Sequence, residues 1–164
     1  MKKTIREWEK LYRNKFFNNN LFTKTIKELS NITYKLNKPV IEEILVKMPI
    51  EEEYEERDFI IKKSIEMYKN YFEQDIHTRR ASFVNNYDGK DNHCISYFHY
   101  YIRNNILCLN VYVRSMNFVT NFVCDNQTFI IAFNKVFDII KQKYNSVKKG
   151  YIKVNIFSLH KYIN

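Results

Sequence analysis

A predicted hairpin between Cys94 and Arg114 is the feature that most constrains the fold. Two runs rich in β-branched and aromatic residues flank the pair Asn104-Asn105. Asn tolerates positive φ, so this pair predicts a tight two-residue turn. Counting outward from the turn places Cys94 opposite Ser115 and next to Arg114. A thiol and a guanidinium would therefore share the open end of the hairpin.

This arrangement matters because a nearby guanidinium favours the thiolate form of a cysteine, which is the nucleophilic form. The segment thus offers an activated nucleophile beside a site for an anion. Spacing alone leaves a second interpretation open, in which Cys94 is a small buried hydrophobic residue and Arg114 is a surface cation.

The composition indicates one globular domain, since 45% of the 164 residues are hydrophobic. The formal charge of +9 favours an anionic partner, although the abundance of Lys, Asn and Ile is typical of AT-biased coding and weakens that inference. Three cysteines without a CxxC pair predict a reducing, cytoplasmic setting and no metal. The N-terminal segment has charges every few residues, so it is interpreted neither as a signal peptide nor as a membrane span.

Hydrophobic periodicity predicts the order of the secondary-structure elements. They are a helix at 4–17, a strand at 28–39, a helix from 51 to 75, a short strand at 81–84, hairpin strands at 94–102 and 106–114, a helix at 126–144 and a strand at 151–157. This order predicts an α+β fold in which a mixed, mainly antiparallel sheet is covered by helices. The acidic run at 51–56 is interpreted as the first turn of a solvated helix, because acidic residues favour that position.

Three separated motifs resemble the thymidylate synthase and pyrimidine nucleotide hydroxymethylase family. In chain order they are Thr78-Arg79-Arg80, then Cys94 followed after twenty residues by Arg114-Ser115, then Gly150 with His160-x-Tyr162. The resemblance covers about residues 25–164 and implies one thymidylate synthase-like domain over 1–164. It also implies a homodimer whose subunits pair through their sheets.

The resemblance implies a one-carbon transferase, of the methyltransferase or hydroxymethyltransferase type, that acts on C5 of a pyrimidine deoxynucleotide monophosphate. Cys94 would add to C6 of the base and turn C5 into a carbanion equivalent. Arg114 and Ser115 would bind the 5′-phosphate, whose oxygens match an Arg fork and a hydroxyl. Arg79 or Arg80 would reach that phosphate from the neighbouring subunit. Adjacent side chains on a strand face opposite ways, so only one of these two is expected to reach it.

His160 and Tyr162 would bind the ribose by the same resemblance. The position that reads the edge of the base, normally Asn for uracil, falls on Asp125. An ionised Asp accepts hydrogen bonds and cannot donate them, which favours the amino group of cytosine. A helix cap explains Asp125 or Asn126 equally well, so both roles stay open here. Asn117 is assigned to the base site, where it replaces the Asp that meets the folate pterin in the family.

Several departures fall on the half of the site that would hold 5,10-methylenetetrahydrofolate, the cofactor that the resemblance implies. Ile95 stands where the family usually has His, Asn121 replaces a glycine, and the upstream motif with Trp and Glu has no recognisable counterpart. The family's closing C-terminal segment is expected to be missing as well. Two alternatives therefore stay open. One is a homologue that binds the nucleotide without folate chemistry. The other is a basic protein that binds nucleic acid, which no recognisable binding motif supports.

Overall fold

The chain is described from a computed structural model at residues 26–37, 55–89, 93–117 and 121–162. The strands are β1 (Ile26–Leu36), β2 (Ser82–Val84), β3 (Ile95–Arg103), β4 (Ile106–Asn117) and β5 (Lys148–Tyr162). The helices are α1 (Glu55–Met67), which a π-helical turn continues (Tyr68–Phe72), and α2 (Phe122–Lys143). A short 3-10 turn (Tyr87–Gly89) follows β2. The helix predicted at 4–17 lies outside the described residues.

The turn between β3 and β4 forms at Asn104 and Asn105, as the sequence predicts. Their φ angles are 51° and 59°. Two successive positive φ values are the signature of a type I′ turn, whose twist matches that of the two flanking strands. Counting outward from the turn, Ile102 pairs with Leu107 as expected.

A β-bulge at Ser96 shifts the register near the start of β3. Tyr97 pairs with Tyr112, but Ile95 pairs with Val113. Two residues of β3 therefore oppose one residue of β4, which leaves Ser96 as the extra residue of the bulge. A bulge generally bends its strand and increases the local twist.

The bulge overturns one expectation from the sequence. Uninterrupted counting pairs Cys94 with Ser115, and that pairing is wrong. The backbone N–H of Arg114 donates to the carbonyl of Cys94 at 2.7 Å, so these two residues lie opposite each other. The extra residue of the bulge thus aligns the thiol with the guanidinium instead of the hydroxyl.

The five strands form one mixed sheet in the order β1-β5-β4-β3-β2. β4 and β5 run parallel, and the other neighbours are antiparallel. This confirms the predicted α+β class with a mixed, mainly antiparallel sheet. The parallel pair needs a crossover connection, which α2 supplies. The start of β3, the ends of β4 and β5, and the start of α2 consequently meet at one end of the sheet, called the Cys94 end below.

Helix α2 buries one face of the sheet. Apolar side chains at alternate positions of the strands meet apolar side chains of the helix in a core with no exposed surface. Members of this core are Phe98, Tyr100, Leu109, Val111, Val113, Phe129, Phe133, Val136, Ile140, Ile152 and Val154. The opposite face, called the open face below, has neither α1 nor α2 packed on it, although Cys108, Met116 and Leu159 on that face are buried.

Helix α1 packs beside α2. Four apolar residues recur here at helical spacing in the sequence: Tyr68 and Phe72 are buried, whereas Ile61 and Ile65 are half-buried. Within α1, Ile60 and Ser64 are fully buried, and the Ser64 hydroxyl lies 2.9 Å from the hydroxyl of Tyr100. Ser64 can be buried because its hydroxyl forms a hydrogen bond with the hydroxyl of the core residue Tyr100. None of the helices in the described residues is long and apolar enough to cross a bilayer.

Gly150 lies where β5 comes closest to β4. A Cβ at this position would be 2.6 Å from the backbone oxygen of Leu107 and 2.8 Å from the Sγ of Cys108. Gly150→Ala is expected to lower the free energy of unfolding by about 1–3 kcal/mol, because a backbone carbonyl cannot move aside cheaply. Urea denaturation measures this change, with the exposed Ser146→Ala as control. Equal midpoints for the two variants would contradict the close approach.

Candidate active site

Cys94 and Arg114 meet at the Cys94 end of the sheet. The Nη2 of Arg114 lies 3.9 Å from the Sγ of Cys94, and both residues are exposed. The bulge at Ser96 creates this contact, because it places the two residues opposite each other. A ligand at this end would therefore meet a nucleophilic atom and a fork of hydrogen-bond donors together.

Ser115, Asn117 and His160 lie on the face of the sheet that α2 covers. The Oγ of Ser115 lies 3.3 Å from the Nδ1 of His160, and Asn117 pairs with His160 across β4 and β5. Strand alternation directs Arg114 to the open face and Ser115 to the other, so the two flank the end of β4 from opposite sides. Tyr162 is the last residue of β5, which also ends here.

Arg79 and Arg80 do not reach this end within one chain. Both are exposed, and the next residue, Ala81, accepts a backbone hydrogen bond from Tyr100 at 2.8 Å. Tyr100 is six residues along β3 from Cys94, which corresponds to about 20 Å at the usual rise of a strand. An arginine side chain cannot span that distance. The pair instead lines a surface cavity of about 510 Å³ at the opposite end of the sheet.

Helix α2 begins four residues earlier than the sequence predicts, at Phe122 with Asn121 as N-cap. The N–H of Asp125 donates to the carbonyl of Asn121 at 2.8 Å, which is an ordinary helical bond. The interpretation of Asp125 or Asn126 as the cap is therefore wrong. Asn126 is fully buried: its Nδ2 donates to the carbonyl of Phe122, and its Oδ1 accepts from the hydroxyl of Tyr34 at 2.8 Å. Asn126 thus has a structural role.

Asp125 is a buried carboxyl group, with 2% of its surface exposed. Burial, helped by the negative charge of Glu56, raises the pKa of Asp125 to about 7. Desolvation disfavours the charged form of a carboxyl, and a second carboxylate nearby adds to the effect. At neutral pH the folded protein therefore contains Asp125 both as an acid and as a carboxylate.

Glu56 belongs to a polar cluster that the sequence did not reveal. Its Oε1 accepts from the Nδ2 of Asn85 at 2.7 Å and lies 3.8 Å from the Nδ1 of His93. Asn85 is fully buried and also donates to the carbonyl of Ile95 at 2.9 Å, at the start of β3. Glu55 and Glu56 begin a helix as predicted, but Glu56 is not solvated as predicted, because only 17% of its side chain is exposed. Helical spacing offered a signal, since Glu56 lies one turn before the buried Ile60.

No family model and no curated protein sequence matches this chain. Its structure is similar to the crystal structure of thymidylate synthase from T4 phage, with a TM-score of 0.59 and 12% sequence identity. The similarity covers 97% of this chain and 77% of that one. The chain therefore has a thymidylate synthase-like α+β fold, as predicted.

The raised pKa of Asp125 implies that the free energy of unfolding depends on pH. The ordinary value is 3.8, so the stability that the neutral form supports is complete below pH 3.8 and is lost as the pH rises through about 7. Asp125→Asn removes this loss. It is expected to raise the free energy of unfolding at pH 8 by on the order of 2–4 kcal/mol over wild type, with the gain shrinking toward pH 4.

Urea denaturation between pH 4 and pH 8 measures this gain. Asp138→Asn is the matched control, because Asp138 is exposed on the same helix. If the two variants gain equally at every pH, the carboxyl of Asp125 is not held in the environment described above.

Proposed function

We propose that this chain binds a pyrimidine deoxynucleotide monophosphate and that Cys94 adds to C6 of the base, as the first step of a one-carbon transfer to C5. The contact of 3.9 Å between the Sγ of Cys94 and the Nη2 of Arg114 carries the proposal. It puts a nucleophile and an anion-binding group at the end of the sheet where α2 buries Asp125. A pyrimidine nucleotide carries a partner for each of these groups: C6 of the base for Cys94, the phosphate for Arg114 and the edge of the base for Asp125.

The chemistry follows from the electronics of a pyrimidine. The electron pair of the Cys94 thiolate forms a bond to C6, and the C5=C6 electrons move toward C5 and the adjoining C4 substituent. C5 can then take a proton from water or accept an electrophilic carbon. Loss of the original C5 proton and departure of the thiolate restore the ring. Exchange of the C5 hydrogen with water is therefore the simplest reaction that this adduct allows.

The phosphate is assigned to Arg114 and Ser115, which flank the end of β4 from its two sides. A guanidinium fork and a hydroxyl suit its oxygens. Ser115 also contacts His160 at 3.3 Å. That contact supports a ribose site at His160 next to the phosphate site, with Tyr162 as the other proposed ribose ligand.

Asp125 is proposed to read the base, and its pKa of about 7 makes the reading depend on pH. Above pH 7 the carboxylate only accepts, which suits the amino group of cytosine and not the carbonyl of uracil. Below pH 7 the neutral acid donates as well as accepts, so it can pair with either base. A cytidine nucleotide is therefore the proposed substrate at pH 7 and above.

The residues present do not fit a folate pterin as the family holds it. By the resemblance, Asn117 stands where the family has its pterin carboxylate, and a neutral amide would not make a charge-assisted hydrogen bond to a neutral pterin there. Addition of Cys94 and exchange at C5 need no folate, so these are the steps proposed. Asn117 is also the observation that favours the second candidate function, a homologue that binds the nucleotide without one-carbon chemistry.

Release of tritium from [5-³H]dCMP into water tests the adduct. Wild type is expected to release tritium, and Cys94→Ser is expected to lose at least about 100-fold, because a hydroxyl is a far weaker nucleophile at neutral pH. Cys108→Ala is the matched control, since Cys108 is buried near the other end of the sheet, beside Gly150.

Equal release by wild type and Cys94→Ser would exclude the proposed adduct. Tight binding of dCMP without any release would favour the second candidate. Binding of oligonucleotides with a steep salt dependence, and no binding of mononucleotides, would instead indicate a nucleic-acid-binding protein.

We also propose that two copies pair through the open face. The described residues include four exposed large hydrophobic side chains, and strand alternation places all of them on this face: Val84, Ile106, Tyr112 and Phe157. Pairing of two copies through this face would remove these side chains from water. Pairing would also bring Arg79 and Arg80 of one copy to the Cys94 end of the other copy. These arginines cannot reach the Cys94 end of their own chain.

Mixed dimers test whether these arginines act across the interface. Cys94→Ser and the double variant Arg79→Ala, Arg80→Ala are each expected to be inactive alone. After both are unfolded and refolded together, mixed dimers contain one intact site, so roughly a quarter of the wild-type tritium release should return. A mixture that stays inactive although mass measurement finds mixed dimers would contradict action across the interface.

A further inference from the structure

The imidazole ring of His93 is held between two elements just before the nucleophile. Its Nε2 lies 2.6 Å from the backbone oxygen of Tyr87 and 3.0 Å from the Oδ1 of Asp88. Its Nδ1 lies 3.8 Å from the Oε1 of Glu56 in α1. His93 thus bridges α1 and the 3-10 turn while its own backbone leads directly into Cys94.

These contacts favour a positively charged ring: Nε2 lies within hydrogen-bond distance of two oxygen atoms, and Nδ1 at 3.8 Å is placed for an ion pair with Glu56. A neutral imidazole has one N–H, but both nitrogens of His93 face oxygen atoms that only accept. Burial by itself lowers the pKa of His93, but the hydrogen bonds to Asp88 and to the Tyr87 carbonyl and the charges of Glu56 and Asp88 outweigh it. The pKa of His93 is therefore raised above its ordinary value of 6.5.

The charged groups around the ring are mostly acidic. Glu56 faces it from α1 and Asp88 from the 3-10 turn, and the Tyr87 hydroxyl, next to Asp88, donates to Glu55. The negative charge of Glu56 also helps to raise the pKa of Asp125 in α2. A charged His93 therefore faces carboxyl groups from α1 and from the 3-10 turn.

The backbone of His93 is joined to the bulge that aligns Cys94. The hydroxyl of Ser96 lies 3.2 Å from the carbonyl of His93 and 3.4 Å from the carbonyl of Cys94. The N–H of Asn85 donates to the carbonyl of Ser96 at 2.9 Å. A change in the position of His93 would therefore be transmitted to the bulge and to the register that the bulge sets.

We propose that His93, as an imidazolium, is a positioning residue for the nucleophile: by bridging Glu56 and Asp88 it fixes the bulge that holds Cys94 opposite Arg114. This inference rests on the proposed function of Cys94. The bridge is complete below pH 6.5 and is lost as the pH rises through the raised pKa of His93. Loss of the proton leaves one ring nitrogen without a hydrogen, and a carbonyl or carboxylate oxygen then faces a lone pair.

Imidazole and amide NMR spectra over pH 5.5 to 9 test the inference without relying on activity. In wild type, both ring nitrogens of His93 are expected to carry protons at pH 6.5, and the ring is expected to titrate above that value. The amide signals of Cys94 and Arg114 should shift with the same midpoint. In His93→Gln those two amides should lose this titration, whereas in His77→Gln, a change in an exposed residue at the other end, they should keep it.

Tritium release from [5-³H]dCMP supplies the kinetic readout. His93→Gln is expected to lower kcat about tenfold to a hundredfold at pH 6.5 with little change in KM, because the nucleophile is misplaced while the phosphate site remains. Wild type should lose kcat as His93 deprotonates, and His93→Gln should lack that part of the pH profile. A parallel profile in His93→Gln would overturn the inference.

The two readouts separate the inference from the proposed function. Amides of Cys94 and Arg114 that follow His93 in a protein that releases no tritium would support the positioning role and contradict the proposed chemistry. A His93 ring that titrates at or below pH 6.5, or amides that ignore its titration, would overturn the positioning role whether or not tritium is released.

Discussion

The register of the β3–β4 hairpin decides which side chains meet at the Cys94 end. A strand shifted by one residue turns every side chain to the other face of the sheet. Without the bulge at Ser96, Cys94 would lie opposite Ser115, on the face that α2 covers. With it, the sulfur lies 3.9 Å from the guanidinium of Arg114. The one extra residue at Ser96 therefore decides whether the thiol of Cys94 lies beside the guanidinium of Arg114.

Burial governs the other half of the site. Because α2 begins at Phe122, Asp125 lies in its first turn and is enclosed, and its pKa rises to about 7. Glu56 and His93 extend this cluster toward Cys94, so carboxyl groups and one imidazole surround the start of β3. In the proposed nucleotide site, Arg114 would supply a fixed positive charge for the phosphate, and Asp125 would face the base with a proton that depends on pH.

Local chemistry explains which parts of this arrangement the sequence predicts. Two consecutive Asn residues specify the turn, and alternating or helical apolar patterns specify the strands and α2, since each signal lies within the element itself. The sequence predicts the start of α2 four residues too late, because Asn121 and Asp125 are both good capping residues. The bulge at Ser96 and the burial of Glu56 depend on contacts between distant segments, which no local pattern contains.

The same distinction applies to the proposed site residues. Cys94 and Arg114 are predicted to converge because one hairpin carries both of them. The distance of Arg79 and Arg80 from that end follows instead from the pairing of β2 with β3, which the sequence does not specify. Their separation from Arg114 within one chain makes the second copy part of the proposed site.

Calorimetric titration at pH 8 tests most directly whether Cys94 and Arg114 form a nucleotide site. Wild type should bind dCMP at least about tenfold more tightly than deoxycytidine, because charge-assisted hydrogen bonds hold the phosphate. It should also prefer dCMP to dUMP, and Arg114→Gln should remove the advantage of the phosphate. Equal binding of nucleotide and nucleoside by wild type, or an unchanged phosphate advantage in Arg114→Gln, would contradict the account.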